Sequence, residues 1–364
     1  MSRTAINMDT DTIPVTGVDE LEKHLDELLV DPTLTPKLKL FDDVELQITD
    51  ANIPPLIPRL LPKITEILNK YQQDPAILCS LAIKLLGPLT FTHILSLASE
   101  DAIIQAMRSP APSANVLAMT ILEKAAKSPS EAAILAMMNN VITSFLTQWL
   151  SAPQVEVAEK GSKVLGDLLD VDCDVRPSDG LSVNGMEITT RKPAGQGLMW
   201  RRIFHDRDIY GLLLSLCSNG PHQKSEGGLS PQQLTLAQGR LLRILPRLAA
   251  LNFSVVARTD FPELNQRYAN FNDDGGLLHF AALHMIDKED MLMHLTLIDF
   301  FEALLSIQRV TPFSTYKIDT LKKLVGDATV HDNVLKAAIL SLPERTVPEE
   351  AEELGQFISD LLKP

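Results

Sequence analysis

Apolar residues recur along most of this chain at three- and four-residue spacing, the period that buries one face of an α-helix. The first stretch, VDELEKHLDELLV (Val18–Val30), puts Leu21, Leu25, Leu28 and Leu29 on one face, and Asp19 ahead of Glu22 supplies an N-terminal capping arrangement. Helices are predicted over residues 36–46 and 55–70, the second carrying Leu56, Leu60, Ile64, Ile67 and Leu68 and bent in its first turns by Pro58 and Pro62. The pattern continues over 76–86, 92–107, 113–127, 131–150 and 155–169. It stops at 170–197, where Asp172, Asp174, Pro177, Gly180, Gly185, Pro193, Gly195 and Gly197 prevent a long helix. Inside that break, LSVNGMEITT sets β-formers on both sides of Asn184-Gly185, the signal of a type I′ hairpin. Helices resume over 199–204 and 208–217. After a polar loop at 218–229, Ser230-Pro231 opens a helix over 232–251 that Pro246 is expected to kink or divide. The last predicted elements are 290–307, 315–325, 332–342 and an acidic helix at 348–362, placed to cap an open end.

Several helical blocks start at a proline-marked turn: Asp74-Pro75, Ala111-Pro112, Ala152-Pro153 and Ser230-Pro231. Their intervals are 37, 41 and 78 residues, the last close to two periods. A period near 40 with two helices per unit is what HEAT and armadillo repeats show. The expected fold is therefore all-α, an α-solenoid interrupted by one irregular or hairpin insertion at about 170–197. It comprises a disordered tail at 1–17, repeats at 18–170, the insertion at 171–197 and further repeats at 198–364. A single helical pair cannot bury its own apolar stripe, so such units stack and create a groove, and a groove favours holding another protein.

Composition agrees with that class, since 45% of residues are hydrophobic but only 5% aromatic, a Leu/Ala packing rather than a β-sandwich. Lys and Arg number 33 against 47 acidic residues, a net charge of −14 that argues against nucleic-acid binding. The charge is uneven: residues 191–258 hold ten Lys/Arg and three Asp/Glu, a local +7 that leaves −21 elsewhere. Cys79, Cys173 and Cys217 form no CxxC pair, which points to a reducing compartment. With no apolar leader and no run of 18 apolar residues, the expected location is the cytosol or nucleus, with no membrane partner.

Catalytic and metal signatures are weak. Asp170, Asp172 and Asp174 alternate as in a calcium loop, but Val175 and Leu181 fall where Gly and Glu are required. His279, His284 and His294 are spaced unlike a metal-binding helical pair and read as packing or surface residues. No nucleophile elbow, phosphate loop or kinase set occurs, and Gly195-Gln196-Gly197 lacks the preceding strand of a dinucleotide site. Asn252-Phe253-Ser254 matches a glycosylation sequon without a secretory context. No cofactor and no enzymatic activity are expected.

The strongest candidate is the basic segment. Trp200, Arg201, Arg202, Phe204 and Arg207 mix the residue types that dominate protein-interface hot spots, with Tyr210 beyond them. Arg240, Arg243 and Arg247 follow at i, i+3 and i+7 on one helical face. Together they suggest a partner-binding patch whose guanidinium groups grip carboxylates. The alternative is that the arginines pair within the chain and Trp200 seals a helix junction. A single-stranded nucleic-acid site is the weakest reading, given the overall charge.

The stretches VLGDLLDVDCD (residues 164–174) and GQGLMWRRIFHDRDIYGLLLSLCS (residues 195–218) resemble the HEAT-repeat chaperones that assemble the base of the proteasome regulatory particle. That family comprises the animal non-ATPase regulatory subunit 5 and its fungal counterpart, the latter often labelled a DNA mismatch repair protein. The resemblance implies a non-enzymatic chaperone that cradles the C-terminal domain of a proteasomal ATPase subunit and delays docking of the ring onto the proteolytic core. Members of the family continue for several more repeats. Another HEAT scaffold or adaptor, including one linked to mismatch repair, is the alternative, and an enzyme with a site in the 170–197 loop is a third.

Overall fold

The amphipathic stretches do become helices. In the computed structural model, which describes residues 14–174, 194–219, 228–271 and 274–363, the chain is all-α. Among the described residues the only extended pairing is an antiparallel bridge between Arg258 and Gly275. The hairpin expected around Asn184-Gly185 lies outside the described residues, as do residues 1–13 of the expected tail. Thr16 is held, its N–H and hydroxyl both donating to Gln47 Oε1 at 2.9 and 2.8 Å. Gly17 takes the left-handed conformation (φ 82°) that starts the first helix.

The chain divides into two compact units after Lys124. The first contains α1 (Val18–Val30), α2 (Leu38–Glu45), α3 (Ile57–Leu68), α4 (Ala76–Leu85), α5 (Phe91–Leu95), α6 (Glu100–Arg108) and α7 (Pro112–Ala125). Helix α1 packs on α3 and α2 on α4, burying Leu21, Leu25 and Leu28 with Phe41, Leu60 and Ile64. Ionic contacts line the edge of α1 and α3, where Arg59 reaches Asp19 and Glu22 and Lys63 reaches Asp26 at 2.5 to 2.6 Å. Buried His24 accepts the Lys37 N–H at Nε2 (3.1 Å), so its Nδ1 carries the proton that it donates to Glu27 (2.9 Å).

The second unit contains α8 (Pro129–Met137), α9 (Asn139–Ser151), α10 (Val155–Val171), α11 (Leu198–Phe204), α12 (Arg207–Cys217) and α13 (Pro231–Leu251). It continues with α14 (Phe253–Ala257), α15 (Pro262–Ala269), α16 (Leu277–Leu283), α17 (Met291–Val310), α18 (Thr315–Thr329), α19 (Asn333–Ser341) and α20 (Pro348–Leu362). Helix α13 lies centrally against α9, α10, α12 and α17. Farther on, α16 packs on α18, α17 on α19 and α18 on α20. Helix α17 is long and apolar enough to cross a membrane, yet its Phe301, Leu304 and Leu305 are fully buried in this unit, as in a core helix.

Three sequence expectations change. The single helix predicted over 92–107 is two, because Ser96 Oγ donates to the His93 carbonyl and Ser99 caps α6 by accepting the Ala102 N–H. The one predicted over 131–150 divides at Met138 (ψ 73°), ahead of Asn139 and Asn140. Conversely, Pro246 does not interrupt α13, which forgoes one hydrogen bond and continues around a buried ring. Helices α14, α15 and α16 have no counterpart among the predicted elements, since stretches of five to eight residues hold too few turns to show a period.

Candidate interaction site

The motif at 164–174 and 195–218 forms a clasp where the chain leaves α10 and returns to α11. Asp172, fully buried, accepts the Gln196 N–H at Oδ1 (3.1 Å) and the Met199 N–H at Oδ2 (2.6 Å), which satisfies the open first turn of α11. Burial pushes its carboxyl above the usual range, against the pull of the Met199, Gln196 and Trp200 backbone N–H groups. Gly195 donates to the Cys173 carbonyl (3.1 Å) and Gly197 to the Asp172 carbonyl (3.0 Å). Glycine is required at both positions: a Cβ on Gly195 would stand 2.1 Å from the Asp172 carbonyl carbon, and Gly197 has φ +67°.

Trp200 completes the clasp. Its indole N–H donates to the Leu169 carbonyl at 2.9 Å, and its ring stacks on Phe204 with centroids 5.3 Å apart. Trp200 and Phe204 are 2% and 3% exposed. Both aromatic candidates thus lie in the core rather than on a surface, because the apolar face of α11 turns inward together with Met199 and Ile203.

The arginines divide in the same way. Arg240 is buried, with Nη1 donating to the Trp149 and Leu150 carbonyls at 2.8 Å each and Nη2 donating to the Ala152 carbonyl. It therefore serves the C-terminus of α9, whose free carbonyls and negative dipole end favour a cation. Arg202 is half-buried, its Nε donating to the Ala136 carbonyl (2.8 Å) and Nη1 pairing with Asp206 (2.6 Å). Arg207 pairs with Glu263 (3.2 Å), and Arg247 pairs with Asp167 (2.9 Å) while lying over Gly166. Arg201 and Arg243 are exposed and have no ion pair among the described residues. The surface part of the predicted patch is thus Arg201, Arg207, Arg243 and Arg247. Arg191, Lys192 and Lys224 of the basic segment lie outside the described residues.

Several other buried polar groups have the same duty as Asp172 and Arg240. Lys317 donates to the Gln308, Thr311 and Pro312 carbonyls (3.1, 3.2 and 2.8 Å) at the end of α17. Asn115 Nδ2 serves the Ala106, Met107 and Ser109 carbonyls at the end of α6, and Asp332 caps α19 through the Leu335 N–H. No cluster of His, Cys, Asp or Glu among the described residues has metal-binding geometry. His284 stacks on Phe271 at 4.1 Å and His294 bonds Asp332 at 2.9 Å, which are packing and structural roles. The three cysteines are buried thiols, and Cys173 Sγ lies 3.4 Å from the Leu251 carbonyl. Asp170, Asp172 and Asp174 do not converge as a calcium loop, since Asp172 is committed to backbone N–H groups and Asp170 lies 4.0 Å from Arg247.

The sequence pattern did not reveal a cavity of about 520 Å³ in the first unit, walled by α3, α4, α6 and α7. Its wall includes Ala82, Ala102, Ala106 and Ala114, alanines at positions where larger side chains would close the space. Helical periodicity marks these positions as inward-facing but says nothing of the volume left between facing helices, so the signal was present only as an alanine bias.

No family model matches the sequence, and no curated protein matches it.

Proposed function

We propose that this chain is a HEAT-type α-solenoid protein that works by holding another protein, and that its partner is a proteasomal ATPase subunit during assembly of the regulatory-particle base. The observation that carries the solenoid reading is the register of bonds between helices. In the first unit a set of these bonds joins residues 35 to 40 apart, including Arg59–Asp19, Arg59–Glu22, Lys63–Asp26, Ser80–Glu45 and Lys124–Gly87, beside shorter-range bonds between consecutive elements such as Asn115–Ala106. Near the end of the second unit they join residues 38 to 44 apart, as in His294–Asp332, Arg309–Glu350 and Arg309–Glu353. Stacked two-helix repeats of about 40 residues set each residue beside its equivalent in the next repeat, and they pack alternate helices on each other as α1 and α3 or α17 and α19 do. Between these regions the separations lengthen to 66 for Arg202–Ala136 and 80 for Arg247–Asp167, where the segments 171–197 and 218–229 intervene.

The choice of partner rests on the resemblance of residues 164–174 and 195–218 to the base-assembly chaperones. Because most of those residues serve the clasp and core, the resemblance speaks for a shared scaffold, and the exposed arginines offer the contact chemistry. The mechanism is steric and needs no catalytic group: the scaffold covers the C-terminal domain of the ATPase until the completed ring displaces it. Cytosol and nucleus are the compartments this role requires. A second reading, a scaffold serving another complex or mismatch repair, has the same periodicity behind it.

Capture of the tagged chain from cell extract at low salt, followed by mass spectrometry, separates them. Enrichment of proteasomal ATPase subunits without the proteolytic core is expected. Enrichment of an unrelated complex, with no ATPase subunit, would overturn the choice of partner.

A further inference from the structure

The cavity of the first unit is distinct from the clasp and from every exposed arginine discussed above. It is partly open to solvent, and its volume of about 520 Å³ falls within the range of small-molecule sites. In a chain of which 22% is charged, no Asp, Glu, Lys, Arg or His contributes to its wall. The buried lining is apolar, with Leu61, Leu86 and Ile103 among the alanines, whereas the polar lining residues Asn69, Gln72, Gln73 and Gln105 are exposed and Thr65, Tyr71 and Ser109 half-buried. Cys79 is the one thiol in the wall, and burial pushes it up to about 11, so it remains a neutral, soft contact at physiological pH. A charged group entering this space would lose its hydration without meeting a counter-charge. A neutral apolar molecule gains contact with the aliphatic wall, and a polar atom at its outer end meets the carboxamides.

We infer that this cavity is a binding site for an uncharged, largely apolar small molecule, with any hydrogen-bonding group toward its exposed polar edge. The inference does not depend on the proposed chaperone role, because the cavity lies wholly within the first unit and none of the arginines contributes to it.

The test uses the full chain and Nile red, an uncharged apolar dye, read by fluorescence. Saturable binding of one dye per chain is expected, at least tenfold weaker in Ala102→Phe and in Ala106→Phe, which fill the space. Circular dichroism and thermal unfolding confirm that the variants fold. Hydrogen exchange of the wild-type chain provides the readout that needs no variant: saturating dye should slow exchange in α4, α6 and α7. Absence of saturable binding overturns the assignment and leaves the space to an apolar side chain of a protein partner. Binding of equal strength in folded filled variants, or protection confined to other helices, overturns it equally.

Discussion

The indole N–H of Trp200 donates to the carbonyl oxygen of Leu169 at 2.9 Å, tying the start of α11 to the end of α10 across 31 residues of chain. The bond is buried, and the ring is backed by Phe204. Trp200→Ala should therefore cost about 3–5 kcal/mol as a core truncation, whereas Trp200→Phe, which keeps an aromatic ring but strands the Leu169 carbonyl, should cost roughly 1–3 kcal/mol. Urea unfolding of both variants measures the two costs. A loss below 1 kcal/mol for Trp200→Ala would place the ring at the surface instead.

Arg240 and Arg243 lie one turn apart on α13 but do different work. Arg240→Met leaves the Trp149, Leu150 and Ala152 carbonyls at the end of α9 without their donor and should cost about 2–4 kcal/mol, while Arg243→Met, at an exposed position, should change stability by less than about 0.5 kcal/mol. Thermal unfolding of the pair reads the contrast directly. Equal effects would contradict the assignment of Arg240 to the helix end.

Glycines give a similar contrast. Gly195→Ala would push a Cβ into the backbone of Asp172 and should prevent the clasp from closing, with a loss above about 2 kcal/mol. Gly239, inside α13 with nothing within 4 Å of an added Cβ, should accept alanine with a gain of about 0.5–1 kcal/mol. Denaturant midpoints at constant slope report both.

Asp332 provides a test by pH. Burial raises its pKa, but the Leu335 N–H, Lys288 and His294 outweigh burial and leave the carboxyl below its ordinary value. A carboxylate depressed in the folded state contributes stability above the unfolded pKa and loses it as pH falls through the folded one. Asp332→Asn keeps a capping side chain and removes the charge. The stability gap between wild type and Asp332→Asn should be on the order of 1 kcal/mol at pH 7 and close below about pH 4. A gap that widens toward acid would reverse the sign of the argument.

Much of this architecture could be read from residue spacing. The positions Leu21, Leu25 and Leu28 fixed the buried face of α1, and Ser230-Pro231 fixed the start of α13, where Ser230 and Gln233 form a reciprocal capping box. The breaks after Leu95 and at Met138 were hidden because Ser96, Ser99 and Met138 interrupt the backbone without disturbing the apolar period. The candidate site was legible as chemistry but not as exposure. Trp200, Phe204 and Arg240 look like contact residues in sequence, and only the packing of α11 on α8 and of α13 on α9 shows that they are consumed inside the protein. A buried arginine that collects backbone carbonyls has no local sequence signal, since its acceptors lie about 90 residues away.

The most direct measurement titrates purified C-terminal domains of the regulatory-particle ATPases, one at a time, into this chain by calorimetry at low and moderate salt. The account predicts saturable one-to-one binding to one of them, weakened at least tenfold by Arg201→Glu with Arg243→Glu and by added salt, with unfolding unchanged. Absence of binding to every such domain, from a chain shown to be folded, would contradict it.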